Sequence, residues 1–358
     1  MTDNLLLERD LGTPPEPTSA SAWDWIVRQF GTVGPLPVLL VVAFGYFAVL
    51  APTFATVTNI VDLLQRSVFL LLMASGQLLI LITGGFDLSV AAVVSFVSIV
   101  GSQVMADAFL AGTGSSESAA VLLSLGVTIL AGAVVGLANG LGVALLKINP
   151  FIVTLAVATI LGGVTLIVSG GVTVGGLPDL YTREIASGGL LGVPWLVVLT
   201  APVIVGLFVL TRYSVLGVHL YALGDNATAA RIAGVRVDLV TILAYVMGSA
   251  LVAYASWLLT ARIGSGQPTM GGSYTMESLT AAIIGGASLR GGKGTIVGVF
   301  LGVIFMQILT NGMNLMQLDS NRQQIAIGAA LVLAVLIDRL RTRARESSAA
   351  KLRSGHGR

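Results

Sequence analysis

The chain has 358 residues, of which only 10% are charged and 55% hydrophobic, with a mean hydropathy of +0.93. A soluble domain carries about 25% charged residues to cover its surface, so a water-soluble globule is excluded. With no cysteine and only two histidines, His219 and His356, disulfides and thiolate catalysis are excluded too, and no metal site is expected.

Residues 1–22 are polar and acidic and contain Pro14, Pro15 and Pro17. A secretory signal would begin basic and then run apolar, so residues 1–34 read as a cytoplasmic lead, with Trp23–Phe30 as a short helix at the headgroup level. From residue 35 onward, charge-free stretches follow one another. A helix needs about 20 apolar residues to cross about 30 Å of hydrocarbon. Ten helices are predicted, at 35–55, 60–82, 88–107, 119–146, 150–169, 194–211, 239–261, 274–289, 295–313 and 321–338. The fold class is therefore an all-α polytopic membrane protein, with a transmembrane domain at 35–338 and a basic cytoplasmic tail at 339–358.

Orientation follows from the bias of Lys and Arg toward the cytoplasm. With the N-terminus inside, all of the 19 basic residues except Arg66, Arg183, Arg262 and Arg322 fall on the cytoplasmic side. That asymmetry fits an even number of spans with both termini cytoplasmic.

Two stretches resemble each other: LITGGFDLSVAAVVSFVSIVGSQVM from Leu81 and AIIGGASLRGGKGTIVGVFLGVIFMQ from Ala282. Each runs from an apolar helix through Gly-Gly and a short polar turn into a helix rich in small residues, and both turns point to the cytoplasmic side. The reading is of two parallel, pseudo-symmetric halves related by an axis along the membrane normal. Glycine-interrupted segments at matching places mark a transport pathway, which singles out Gly84, Gly85 and Asp87. Asp87 is either a pathway residue or an N-cap for a helix starting at Leu88; the two roles are compatible. The run Gly286–Thr295 lacks the G-xxxx-G-K-[ST] spacing of a phosphate-binding loop, so the chain is not expected to bind ATP. Gly132, Gly136 and Gly140, like Gly294, Gly298 and Gly302, keep the spacing that lets helices approach closely in lipid.

The cytoplasmic loop 212–238 is the longest between spans. Asp225 or Asn226 can cap a helix beginning at Ala227, and Gly234 can end it in the left-handed conformation. Two turns are too short to stand alone, so this helix is expected to dock on a peripheral partner rather than on headgroups.

That loop, ALGDNATAARIAGVRVD, resembles the cytoplasmic G-x-N-xx-AA-xx-xG motif of bacterial ABC-type sugar importer permeases of the ribose, xylose and arabinose kind. ITGGFDLSV, NPFIVTLAVATILGGV from Asn149 and IIGGASLRGGKGTIVG from Ile283 are similar to stretches of the same family, over roughly residues 35–340. The chain departs from it at Phe86, where Ile is usual, and at Ala91–Ala92, where Gly-Ser is usual. The resemblance implies a second permease copy or paralogue and cytoplasmic ABC ATPase subunits docked on Gly224, Asp225, Asn226, Ala229, Ala230, Arg231 and Gly234. It also implies a periplasmic sugar-binding protein meeting the segment Gly170–Val193, with Asp179, Arg183 and Glu184. ATP and magnesium would belong to the partner ATPase, with no cofactor in this chain, no nucleic-acid partner, and membrane lipid around it in the bacterial inner membrane.

A neutral polyol asks for hydroxyls and amides rather than charges. Gln77, Asn139, Asn149, Gln307, Asn311 and Asn314 are the candidates, each weighed against a role as a helix–helix hydrogen bond. Two other classes fit less well. An ion-coupled transporter needs intramembrane acids or histidines, and only Asp62, Asp87 and Glu277 come near. A membrane enzyme needs a metal or a nucleophile–base constellation. A branched-chain amino-acid ABC permease is the closer alternative.

Overall fold

Prolines and polar caps set where the helices start and stop. The computed structural model describes residues 36–110, 116–333 and 335–336. The expected N-terminal lead, the Trp23–Phe30 helix and the basic tail lie outside the described residues. Helix α1, Leu36–Leu50, stops two residues before Pro52 and so falls short of the predicted end at 55. The Pro52 ring offers no amide and disfavours helix in the residue before it. Helix α2, Val57–Ile82, starts on Thr56, whose hydroxyl accepts from the Asn59 amide. Helix α3 is Val90–Leu110. Helix α4, Glu117–Ala144, has Ser116 as its cap and an acid in its first turn, where the helix dipole favours one. Helix α5, Pro150–Ser169, combines an Asn149 cap with proline in its first turn and ends on left-handed Gly170 (φ 61°).

The predicted loop 170–193 is more ordered than expected. It carries a π-helical turn at Leu180–Ile185 and a hairpin of β1, Gly189–Leu190, and β2, Val193–Pro194, with Gly189 opposite Pro194. Helix α6 is Trp195–Tyr213. The loop 212–238 holds two helices where one was expected: α7, Val215–Asp225, then α8, Ala227–Ile232. Helix α9 is Val237–Ile263, α10 Tyr274–Ile284 and α11 Ile296–Leu315, and a last helical stretch, α12, covers residues 320–333. The predicted helix 274–289 therefore ends five residues early, because Gly285 and the left-handed Gly286 (φ 94°) break it. Among the described residues, seven helices are long and apolar enough to cross a membrane: α2, α3, α4, α5, α6, α9 and α11. The chain is a multi-pass helical membrane protein.

Burial orders these spans. The most apolar window of α2 is 89% buried, whereas those of α5 and α6 are 22% buried. So α2 forms the centre, while α5 and α6 turn most of their surface outward. Close approach is set by the glycine rows read from the sequence. A side chain on Gly136 would run into the Tyr245 carbonyl and Val246 of α9, and one on Gly302 into the Ala281 carbonyl of α10. In lipid, where apolar attraction between helices is absent, such backbone-to-backbone fit is what holds them together.

Candidate functional site

Two regions gather the functional candidates. The first is the non-helical stretch 83–89 between α2 and α3. Its level follows from its partners: Gln77, Asn139, Thr154 and Tyr245 lie four to eight residues inside the Lys147-side ends of their helices, or about 6–12 Å at 1.5 Å per residue. Irregular backbone at that depth persists only where protein satisfies its polar groups, and here side chains from three helices do so. The Tyr245 hydroxyl accepts from the Phe86 amide (3.2 Å) and donates to the Phe86 carbonyl (3.0 Å). Gln77 donates to the Asp87 carbonyl at 2.7 Å. The Leu88 amide donates to the Thr154 hydroxyl, and the Ala91 amide to that of Thr275.

Asp87 is buried in this stretch, at 2% exposure. Its carboxylate accepts from both the amide (2.7 Å) and the hydroxyl (2.6 Å) of Ser89, and Asn139 donates to the same hydroxyl. The capping role is thus corrected in detail. Asp87 closes a turn two residues ahead rather than capping a helix at Leu88, and α3 begins only at Val90. Gln77 Oε1 and Asn139 Oδ1 are buried without a hydrogen-bond partner.

The stretch is joined to its counterpart after α10. There Gly286, Gly291, Gly292 and Gly294 all have positive φ, and the Ser288 amide donates to the Lys293 carbonyl, closing a tight turn. The Gly292 amide donates to the Ile82 carbonyl at 2.8 Å, so the two glycine turns meet at the same end of the molecule. Gly84 (φ 79°) lies in the contact, where a side chain on Gly291 would strike its amide. A side chain on Gly85 would press on the Tyr245 hydroxyl.

Helix α8 hangs at that end. Asn226, rather than Asp225, is its cap, accepting from the Ala229 amide at 3.0 Å, and Gly234 (φ 86°) follows it as expected. Asp225, Asn226, Ala229, Arg231 and Gly234 are exposed, and Ile232 is 84% exposed. Ala230 is buried at 4%, so it packs into its own chain instead of facing outward. Arg231 pairs with Asp238, which also binds Lys147. On α7, burial pushes the Tyr221 pKa above its ordinary value, partly offset by nearby Arg212, and the hydroxyl donates to the Gly294 carbonyl at 2.7 Å.

The second region is a cavity of about 580 Å³ at the opposite end, within the about 300–1,000 Å³ of small-molecule sites. Gln307 and Asn314 line it together with Arg66, Arg262, Tyr274 and Glu277. The guanidinium groups are already matched. Arg66 and Arg262 both bind Asp62, at 2.8 and 2.7 Å, and Arg262 also donates to Gln65. Glu277 accepts from the Ser273 hydroxyl. Beyond these pairs the wall presents the amides and hydroxyls of Thr310, Ser320, Gln323 and Gln324 beside the apolar side chains of Phe69, Leu259, Ile263 and Ile327.

Asn311, beside this cavity in sequence, instead donates to Asn59 at 3.0 Å and ties α11 to α2. Asn149 is exposed and caps α5, accepting from the Phe151 amide. Tyr245, Thr154, Thr275 and Tyr221 were not read from the sequence. Their partners lie 159, 66, 184 and 73 residues away, and no local pattern encodes that.

The sequence model of a family described as the permease component of branched-chain amino acid transport systems matches residues 59–337. The chain is 33% identical over 321 residues to the ribose import permease protein RbsC of Bacillus subtilis, covering 88% of this chain and 94% of that one. It is 31% identical over 312 residues to the fructose import permease protein FrcC of Rhizobium meliloti, covering 85% and 84%. The D-allose transport system permease protein AlsC of Escherichia coli is 30% identical over 319 residues, covering 89% and 92%. No solved structure matches the chain.

Proposed function

We propose, from the premise that the chain belongs to the family of permease components of branched-chain amino acid transport systems, that it is the membrane-spanning permease subunit of an ATP-driven ABC importer carrying a monosaccharide or related polyol. The observation that carries the reading is the similarity, over 85–89% of this chain, to permeases named for ribose, fructose and allose. The amides and hydroxyls among the residues lining the cavity suit a neutral polyol.

In this reading the chain has ten spans in two parallel halves, with the Lys147 end in the cytoplasm together with both termini. The seven long apolar helices and the meeting of the two glycine turns at one end support it. Partner ATPases, which would hold ATP and magnesium, press on α8. A binding protein delivers sugar to the end bearing Arg66 and Arg262, and a second permease copy or paralogue completes the pathway. The helices then switch between two discrete packings.

The second reading, a branched-chain amino-acid permease, is favoured by the description of the family itself. A competition assay separates the two. Uptake into proteoliposomes holding the full transporter should be reduced by an excess of an unlabelled monosaccharide and left unchanged by leucine. Competition by leucine alone would overturn the sugar assignment.

A further inference from the structure

We infer that Tyr221 is a positioning residue that ties the start of α11 to α7, so that α8 moves α11 together with the glycine turns. The inference rests on the permease reading above, in which α8 is where the motor pushes. Only Asn226, in extended conformation (φ −156°, ψ 100°), separates α8 from the end of α7. The last turn of α7 lies in the joint between the two glycine turns. A side chain on Gly224 would overlap both the Ile82 carbonyl and the Gly292 amide, so the backbone of α7 rests directly on the end of α2 and on the tip of the second turn. One helical turn earlier, Tyr221 reaches over to the Gly294 carbonyl of the second turn at 2.7 Å.

A push on α8 therefore has two exits from α7. One runs through Gly224 into residues 83–89, which Tyr245 and Thr154 grip further up. The other runs through the Tyr221 hydroxyl into the turn that starts α11, whose far half lines the cavity at Gln307 and Asn314. The turns also share the Gly292–Ile82 hydrogen bond, but that bond links them to each other and not to α7. Without the Tyr221 hydroxyl, α7 keeps its backbone contact with the end of α2 and with Gly291 and Gly292, and loses its hydrogen bond to Gly294, two residues before α11.

The test compares ATP hydrolysis and sugar uptake in the same proteoliposomes, with partner ATPases and binding protein present, for wild type, Tyr221→Phe and Tyr213→Phe. Tyr213, the last residue of α6, is 70% exposed, which makes it the control. Tyr221→Phe is expected to keep its ATPase association and binding-protein-stimulated hydrolysis while uptake per ATP falls about fivefold, the equivalent of one hydrogen bond. Tyr213→Phe should match wild type. An unchanged ratio in Tyr221→Phe overturns the inference. So does a parallel loss of hydrolysis and uptake, with or without a lowered melting temperature, since a purely structural tyrosine would give that. If wild type itself shows no ATP-dependent uptake, the permease reading fails first and the inference goes with it.

Discussion

At the scale of single residues, the decisive feature is a short, partly buried stretch of non-helical backbone whose polar groups are met by side chains from the helices around it. Tyr245→Phe removes the group that satisfies both the amide and the carbonyl of Phe86. A buried backbone group left without a partner costs about 1–3 kcal/mol, so thermal unfolding in detergent should show a lowered midpoint, while Tyr213→Phe leaves it in place. Thr154→Val removes the acceptor for the Leu88 amide while keeping the side chain's shape, and should cost about 1 kcal/mol. Because both variants loosen the same seven-residue stretch, the double variant should depart from additivity by about 0.5 kcal/mol or more. Strict additivity would mean that residues 83–89 are not one unit. The sequence marks this stretch by Gly84, Gly85 and Asp87, since glycine and a buried acid are unusual in an apolar run. It does not name Tyr245 or Thr154, because an ordinary tyrosine or threonine in a span carries no local sign of what it will meet.

At the scale of elements, packing depends on which glycines face a neighbour. On α4, a side chain at Gly136 would collide with α9, whereas at Gly126 nothing lies within 4 Å. Gly136→Ala should therefore destabilise by about 1–3 kcal/mol through overpacking, and Gly126→Ala should be neutral within about 0.5 kcal/mol, as read by melting temperature. The spacing of Gly132, Gly136 and Gly140 made that face legible, because close helix approach leaves a periodic trace. Helix α8 was legible for a similar reason: its cap and its terminal glycine sit at fixed offsets. Asn226→Ala removes the cap, worth about 1 kcal/mol, and hydrogen exchange across residues 227–232 should quicken while α9 stays protected. Helix α7 was not legible. Its sequence, VLGVHLYALGD, holds two glycines and a histidine and reads as loop; docking against the two glycine turns makes it helical, a contact made only in the folded chain. The hairpin before α6 escaped for want of length, since two-residue strands leave no alternation to read.

At the scale of the whole molecule, composition settled the membrane class at once, and the Lys/Arg asymmetry supplied an orientation, whereas the grouping of candidate residues into two regions came only from the fold. Gln77, Gly84, Gly85 and Asp87 belong to the joint near the Lys147 end, and Gln307 and Asn314 to the cavity at the other. The central claim is that transport is driven by an ATPase acting through α8. The most direct measurement is solute uptake into proteoliposomes containing the chain with its partner ATPases and binding protein, with and without ATP, for wild type and Ile232→Glu. Ile232 is 84% exposed, so the substitution leaves the core untouched and alters only the docking face. Wild type should take up sugar only when ATP is supplied, and Ile232→Glu should fold normally, fail to retain the ATPases and lose uptake. Uptake by the chain alone down an ion gradient, without ATP and indifferent to Ile232, would contradict the account.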